Sequence, residues 1–181
     1  MIRIETPRLI LRIPRMEDLD ALHAMLTDPA VTYYMPELRV KSLEETRIQL
    51  ERSIRISQAI VNLGYNLAIA DQADQLIGAL NVRLVDGAPG DVHYGLGYFI
   101  ASEHWNHGYA AEAVAGLLTC LFRQDACRIS ASALAENLAS RRVLEKCGFA
   151  QEGLLKAHTW HDGQWKDCAV YRLLKTEYEK G

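Results

Sequence analysis

The sequence predicts an α/β (α+β) fold, and three observations carry that prediction. An apolar run ending at Ile100 leads into a small loop that opens directly onto a helix. A second strand-like run ends near Asn137 and passes into an amphipathic helix that stops at Gly148-Phe149. Elsewhere, apolar residues alternate with polar ones at a period of two, as in half-buried strands, between stretches with helical spacing. A chain of 181 residues is long enough to bury a core as one domain, 1–181.

The elements follow in order. Leu9, Leu11 and Ile13 alternate with Arg8 and Arg12 as a first strand, and Leu19, Leu22 and Leu26 then fall at helical spacing. Ser42 and Glu45 form a Ser-x-x-Glu capping box that starts a second helix, with Glu51 and Arg55 spaced for an exposed i,i+4 pair. Tyr65, Leu67 and Ile69 alternate as a strand, the polar stretch 71–75 turns the chain, and 76–85 returns. DGAPGD, 86–91, is another turn, and 92–100 is the strand before the loop. Val114, Leu117, Leu118 and Leu121 give the next helix a buried stripe, and 128–133 is a further strand. The helix after Asn137 stops at Gly148, and the tail is a hairpin, 149–159 and 165–174, turning at Asp162-Gly163. No internal repeat, linker or low-complexity segment interrupts this order.

Composition narrows the class of function. A net charge of -3 with 24% charged residues offers no basic field for nucleic acid, and the mild acidity is only a weak argument for a cationic amine. Cys120, Cys127, Cys147 and Cys168 show no CxxC spacing, and Met1 to Pro14 lacks the apolar core of a signal peptide. Both point to reduced thiols in a cytoplasmic protein. The longest apolar run, Ala113 to Phe122, is too short to span a bilayer. His104 and His107 are three apart, as are His158 and His161, but neither pair has a carboxylate or cysteine at ligand spacing, so no metal is expected. The loop also lacks the GxGxxG and acidic partner of nicotinamide-binding folds.

Leu96 to Glu112, LGYFIASEHWNHGYAAE, has the chemistry of a phosphate cradle. Such a loop points backbone N–H groups at an anion, and the helix dipole adds about half a positive charge there. Gly108 lets a ligand approach the main chain without a Cβ in the way, and Ala110 keeps the next turn low. The second block, AENLASRRVLEKCGF, places Asn137 29 residues beyond Gly108. With Gly97, Tyr98, Trp105, Gly108, Tyr109, Ala110, Glu112 and Ala113, then Asn137, Ser140, Val143, Lys146, Gly148 and Phe149, the chain resembles the GCN5-related N-acetyltransferases (GNAT). It is most similar to the branch that acetylates ribosomal-protein N-termini, whose members carry patterns like GYxxxxxxWGxGYAxEA and NxxSxxVxxKxGF. The opening TPRLILR, Thr6 to Arg12, extends the likeness over nearly the whole chain.

The resemblance implies a mixed, mostly antiparallel sheet flanked by helices and splayed after 92–100, with acetyl-CoA in the split. The pantetheine arm would pair with the strand backbone at Tyr98, Phe99 and Ile100. The pyrophosphate would lie on the amides of Asn106, His107, Gly108, Tyr109 and Ala110. Asn106 stands where relatives usually have Gly, and it tolerates unusual backbone angles. His107 stands where they often carry Lys or Arg. Trp105 and Tyr109 read as packing residues ahead of base-stacking ones. Asn137 admits two readings, a helix cap or a partner for the pantetheine amides. The family's usual acidic Tyr position is Leu144 here. Ser140 is then the nearest hydroxyl to protonate departing CoA, a modest task for a thiol of pKa about 8.5.

The reaction implied is attack of a neutral amine on the thioester, with an oxyanion held by a strand N–H near Ile100. The base is thinly represented. Relatives carry a Glu near the position of Gly95 or of Thr159, and neither is present. His93, on the same strand face as Gly95, is either the base or an edge-of-strand histidine. Glu103, Glu112 and Glu152 are also available. An α-amine of pKa about 7.8 is about one-seventh neutral at pH 7, whereas a lysine at about 10.4 is only about 0.04% neutral, so a site poor in bases favours an N-terminal amine. Residues 32–39, the second helix and the final hairpin, including Tyr33, Tyr34, His158 and Trp160, are placed to form the acceptor pocket. The acceptor is thus a protein N-terminus, such as that of a ribosomal protein. A small amine (antibiotic, polyamine or amino acid) and a non-catalytic acetyl-CoA-binding module are the alternatives. Monomer and homodimer are both compatible with the sequence.

Overall fold

The computed structural model describes residues 3–58 and 64–180; residues 1–2, 59–63 and 181 of the expected 1–181 domain lie outside the described residues. Strands β1 (Arg3–Glu5) and β2 (Leu9–Arg12) open the chain, followed by helices α1 (Leu19–Thr27), α2 (Pro29–Thr32) and α3 (Leu43–Gln58). Strands β3 (Gly64–Asp71), β4 (Leu76–Ala88) and β5 (Asp91–Ile100) lead to α4 (Tyr109–Gln124). After it come β6 (Ala126–Leu134), α5 (Leu138–Lys146), β7 (Ala150–His161), β8 (Gln164–Leu174) and α6 (Lys175–Tyr178). No helix among the described residues is long and apolar enough to cross a membrane.

The strands form one sheet in the order β1-β2-β3-β4-β5-β6-β8-β7, and every adjacent pair is antiparallel except β5 and β6. A parallel pair needs a long crossover, and α4 supplies it. Its predicted stripe does the packing: Val114, Leu117, Leu118 and Leu121 are all no more than 2% exposed, against Leu9, Leu11, Leu67 and Ile69 in the same core. Each such side chain contributes about 1.5–3 kcal/mol by leaving water.

The parallel ladder is short. It runs from Val92↔Ala126 to Leu96↔Ala131, with a register shift after Val92. Beyond it, Gly97 to Ile100 keep pairing with β4 while Ser132 to Leu134 pair with β8, so β5 and β6 part company. This is the splay expected after 92–100.

Local signals hold with some shifts. Asp162 (φ 50) and Gly163 (φ 74) turn the tail hairpin, both left-handed as a two-residue turn of that hand requires. At the start of α3, Glu45 N–H donates to Ser42 Oγ (3.2 Å), but the Glu45 carboxylate accepts from Lys41 N–H (2.7 Å) instead of closing the box on Ser42. The ion pair on that helix is Glu44–Arg47, not Glu51–Arg55. The 86–91 turn is tighter than expected, because β4 continues to Ala88. β1, α2 and α6 have three or four residues each, too few for a periodic signal.

Arg12, on the polar side of the predicted alternation, is only 6% exposed. Its guanidinium grips Asp18 through two hydrogen bonds (2.7 and 2.8 Å) and Asp74 through a third (2.6 Å). That cluster ties β2 to the start of α1 and to the β3–β4 turn. Asp18→Ala leaves a buried cation with half its partners and should cost about 3 kcal/mol of unfolding free energy in a denaturant titration. A loss under about 0.5 kcal/mol would mean that Asp74 alone satisfies the charge.

Candidate active site

The gap between the diverging strands opens into a cleft of about 700 Å³. One wall is the free edge of β5, where Tyr98, Phe99 and Ile100 have β4 on one side only. In an antiparallel pair, alternate N–H and C=O groups point away from the partner, and here they point toward the cleft. The indole N–H of Trp105 donates to the Ile100 carbonyl (2.8 Å), which fixes the loop against the strand end.

That loop carries the cradle. Asn106 (φ 63) and Gly108 (φ 79) are both left-handed, and Gly108 caps α4. Asn is one of the few non-glycine residues that adopt this angle readily, so it serves where relatives carry Gly. A Cβ on Gly108 would meet only an Arg8 nitrogen at 3.7 Å. Protein packing therefore leaves that space open, and the first N–H groups of α4 have no intrahelical acceptor. Asn106, Gly108, Tyr109 and Ala110 all line the cleft, while the His107 side chain does not, stacking instead on Tyr109 at 5.7 Å.

Arg8 braces this loop from the other end of the chain. Its Nη1 donates to the His107 carbonyl (3.0 Å), its Nε to Glu112 Oε2 (2.6 Å), and its guanidinium lies over the Tyr109 ring at 4.7 Å. Glu112 Oε1 also accepts from Thr6 Oγ1 (2.7 Å) and Arg8 N–H (2.8 Å). Burial pushes the Glu112 carboxyl up, but the hydrogen bonds from Thr6 and Arg8 outweigh it and hold the group below its usual range. Glu112 is thus spent on structure. The signal for the clamp lay in TPRLILR and YAAE together, and no local rule connects them.

The opposite wall comes from α5. Asn137 Oδ1 accepts from Ser140 N–H (3.1 Å), so the capping reading holds, and Nδ2 has no partner among the described residues. One amide thus caps the helix and keeps its donors for the cleft. The Tyr98 hydroxyl lies 3.0 Å from both the Ser140 carbonyl and Ser140 Oγ. A phenol has one proton, so while it serves the carbonyl the serine hydroxyl donates to it. Burial pushes the Tyr98 hydroxyl well up from its ordinary pKa, which keeps it protonated. Leu144, where the family's tyrosine would stand, is buried and lines the cleft. A tyrosine is still present, reaching Ser140 from β5.

His93 is not among the cleft-lining residues. It lies seven residues before Ile100, about 23 Å along the strand, and its Nε2 sits 2.8 Å from Ser130 Oγ. Desolvation and the nearby Arg128 push its pKa down. The face argument from Gly95 holds, but that face at that height belongs to the closed part of the sheet. Glu152 is likewise committed, paired with Arg128. The cleft's titratable side chains instead include Glu37, Arg142 and His161, and neither Glu37 nor Arg142 has an ion-pair partner among the described residues. Glu37 falls in the stretch 32–39 expected to form the acceptor pocket. His161 was not distinguishable in the sequence from His158, which is exposed.

If this loop binds a pyrophosphate, acetyl-CoA should raise the melting temperature, by about 2.7 kcal/mol of added stability at 100 times its dissociation constant. Gly108→Glu should remove that shift and leave the ligand-free melting temperature within a few degrees. NAD should give no shift. An unchanged acetyl-CoA shift in the variant would place the phosphates elsewhere.

Comparison with known proteins agrees with this geometry. A family model, the acetyltransferase (GNAT) domain, matches residues 8–150. The uncharacterized N-acetyltransferase p20 of Bacillus licheniformis is 30% identical over 174 residues, 96% of each chain. A GNAT-family acetyltransferase from Bacillus anthracis superposes with a TM-score of 0.85 at 28% identity, over 97% of this chain and 99% of that one. RimL, a ribosomal L7/L12 α-N-protein acetyltransferase solved with coenzyme A, shares the fold at TM-score 0.83 and 22% identity, over 96% of this chain and 98% of its own. The chain belongs to the GNAT family and is an acyl-CoA-dependent N-acetyltransferase that takes its acetyl group from acetyl-CoA.

Proposed function

We propose that the chain acts as one domain, 1–181, in the cytoplasm and acetylates the α-amino group of a peptide or protein N-terminus, such as that of a ribosomal protein. One observation carries this reading. Beyond the end of β5 the cleft is bounded by Tyr34 to Glu37 and by the hairpin residues Thr159 and Trp160, a rim with one carboxylate and a Trp160 ring that is 59% exposed. A lone carboxylate suits a single cationic amine, and an exposed aromatic rim suits an extended chain leading away from it. A second cavity of about 300 Å³, walled by Leu22, Leu26 and Leu50, shares Glu37 and Gly97 with the cleft. It has room for the acceptor's own first side chain.

In this reading the free edge at Tyr98, Phe99 and Ile100 pairs with the pantetheine amides, and an N–H near Ile100 faces the developing oxyanion. The main-chain N–H groups of Asn106, His107, Gly108, Tyr109 and Ala110 hold the pyrophosphate, with Arg142 as a cation lining the cleft. Asn137 Nδ2 donates to the pantetheine arm. Ser140, backed by the protonated Tyr98 hydroxyl, gives the departing thiolate its proton. His93 takes no part.

Thiol release with a panel of acceptors tests the assignment. Peptides with free N-termini should turn over with kcat/KM at least tenfold above their N-blocked, lysine-bearing counterparts and above polyamines and amino acids. Preference for a small amine would overturn the peptide reading. Acetyl-CoA binding without thiol release from any amine would make the chain a binding module.

Ser140→Ala should lower kcat with acetyl-CoA affinity within a fewfold, and the loss should shrink as pH rises past about 8.5, where the thiol leaves without a proton. Tyr98→Phe should show the same pH trend with a smaller loss. If Ser140→Ala weakens binding and keeps kcat, the hydroxyl is a cofactor contact.

A further inference from the structure

We infer that the His161 imidazole is the base that takes the proton from the attacking amine, an assignment that rests on the reading of the cleft as an amine-acetylation site. His161 is only 5% exposed and lines the cleft. Its Nε2 is fully buried and has no hydrogen-bond partner, the sole such side-chain atom among the described residues. An unpaired buried nitrogen costs about 1–3 kcal/mol and calls for an explanation, and in a ring that lines the cleft the acceptor's amine supplies one.

The surroundings hold the ring in place. Tyr33 meets it edge-on at 4.9 Å, and Tyr34 stacks on it at 6.2 Å. Its strand reaches the cleft by way of an irregularity: between Leu155↔Cys168 and Thr159↔Lys166, three residues of β7 oppose one of β8. Asp167 pins that bulge, accepting from Ala157 N–H (3.0 Å) and Lys156 Nζ (2.8 Å). Bulges beside active sites re-aim the residues that follow, and those residues are Thr159, Trp160 and His161.

Glu37, the other free candidate, is exposed. A carboxylate in water is a base about two pK units weaker than imidazole, so it suits holding the ammonium more than deprotonating it. The ionisable groups around His161 are Tyr33 and Tyr34 from the segment after α2, Asp162 beside it in the chain, and Lys166 and Glu136, which pair with each other at 2.7 Å. That pair cancels, which leaves the Asp162 carboxylate as the net charge among these groups near the ring.

The protons balance. The acceptor arrives as an ammonium and gives one proton to the imidazole, and its freed lone pair forms the C–N bond. The second ammonium proton leaves to solvent as the C–S bond breaks, Ser140 protonates the thiolate, and Ser140 regains its proton from solvent. The imidazolium then returns its proton to solvent, so each turnover yields amide, thiol and one H⁺.

His161→Gln, which keeps size and polarity, tests the assignment through pH profiles of kcat/KM with the preferred acceptor. At pH 7 the variant should lose about sevenfold, the deficit of neutral α-amine at that pH, with acetyl-CoA affinity within threefold. The loss should shrink steadily toward pH 9, where an α-amine is already neutral. An equal loss at every pH, or an unchanged rate, would overturn the proposal and leave His161 a packing residue. If the variant does not fold, the wild type decides. The His161 titration midpoint, read by imidazole NMR with acetyl-CoA bound, should coincide with the acidic limb of kcat/KM, and a mismatch above one pH unit overturns the assignment. Failure of the wild type to acetylate any amine would instead remove the functional reading on which the base depends.

Discussion

The fold turns on a conflict in strand β5. All ten of its residues pair with β4, yet it holds β6 only as far as Leu96. Past that point β6 stays with β8 through Ser132 to Leu134, and the sheet divides between β5 and β6. A sheet that opens in its interior leaves backbone donors and acceptors unpaired where water is scarce, a costly state unless something else pairs with them. The first turn of α5 takes up part of the gap through Ser140 and Tyr98. The rest is a strand edge inside a cleft, which an amide-bearing chain can complete as an added strand.

Two arginines a turn apart in the sequence do different work around this opening. Arg12 is buried and bound to two aspartates, so its contribution is to stability, and removing a partner strands a charge. Arg8 is about half exposed, and its pairing with Glu112 contributes little as a surface ion pair. Its importance is positional, because the same guanidinium touches the His107 carbonyl and the Tyr109 ring on either side of Gly108. The turn between β1 and β2 thereby holds the cradle in shape from outside the strand, loop and helix that form it.

What the sequence revealed was local or periodic. The strand–loop–helix at Gly108, the stripe of α4, the Asn137 cap and the Asp162-Gly163 turn each depend on residues within a few positions of one another, and each is present. What stayed hidden depends on distant parts of the chain meeting. His93 lay on the correct face of the correct strand, but strand alternation carries no information about height along the strand, and the sheet is still closed where it sits. His161 looked no different from His158 because both lie in a hairpin whose bulge follows from Asp167 reaching across to Ala157. Arg12 looked like a solvent-facing residue until its partners, Asp18 and Asp74, arrived from two other segments.

Backbone strain follows the same geography. Four non-glycine residues among those described have positive φ: Asp74, Asn106, Ala157 and Asp162. Asp74 belongs to the Arg12 cluster. Asn106 lines the cleft, and Ala157 and Asp162 flank in the chain the lining residues Thr159 to His161. Asn and Asp tolerate this angle, but alanine does not, and such a residue costs about 1–3 kcal/mol unless its surroundings fix it. Asp167 does so at Ala157 with a carboxylate oxygen on the strained N–H. The strain and the unpaired His161 nitrogen thus lie within five residues of each other, on the hairpin that lines the cleft. A cleft that must accept a proton on one wall and donate one from the other needs its two groups held apart and partly unsatisfied, and the bulged hairpin is where the chain bears that cost.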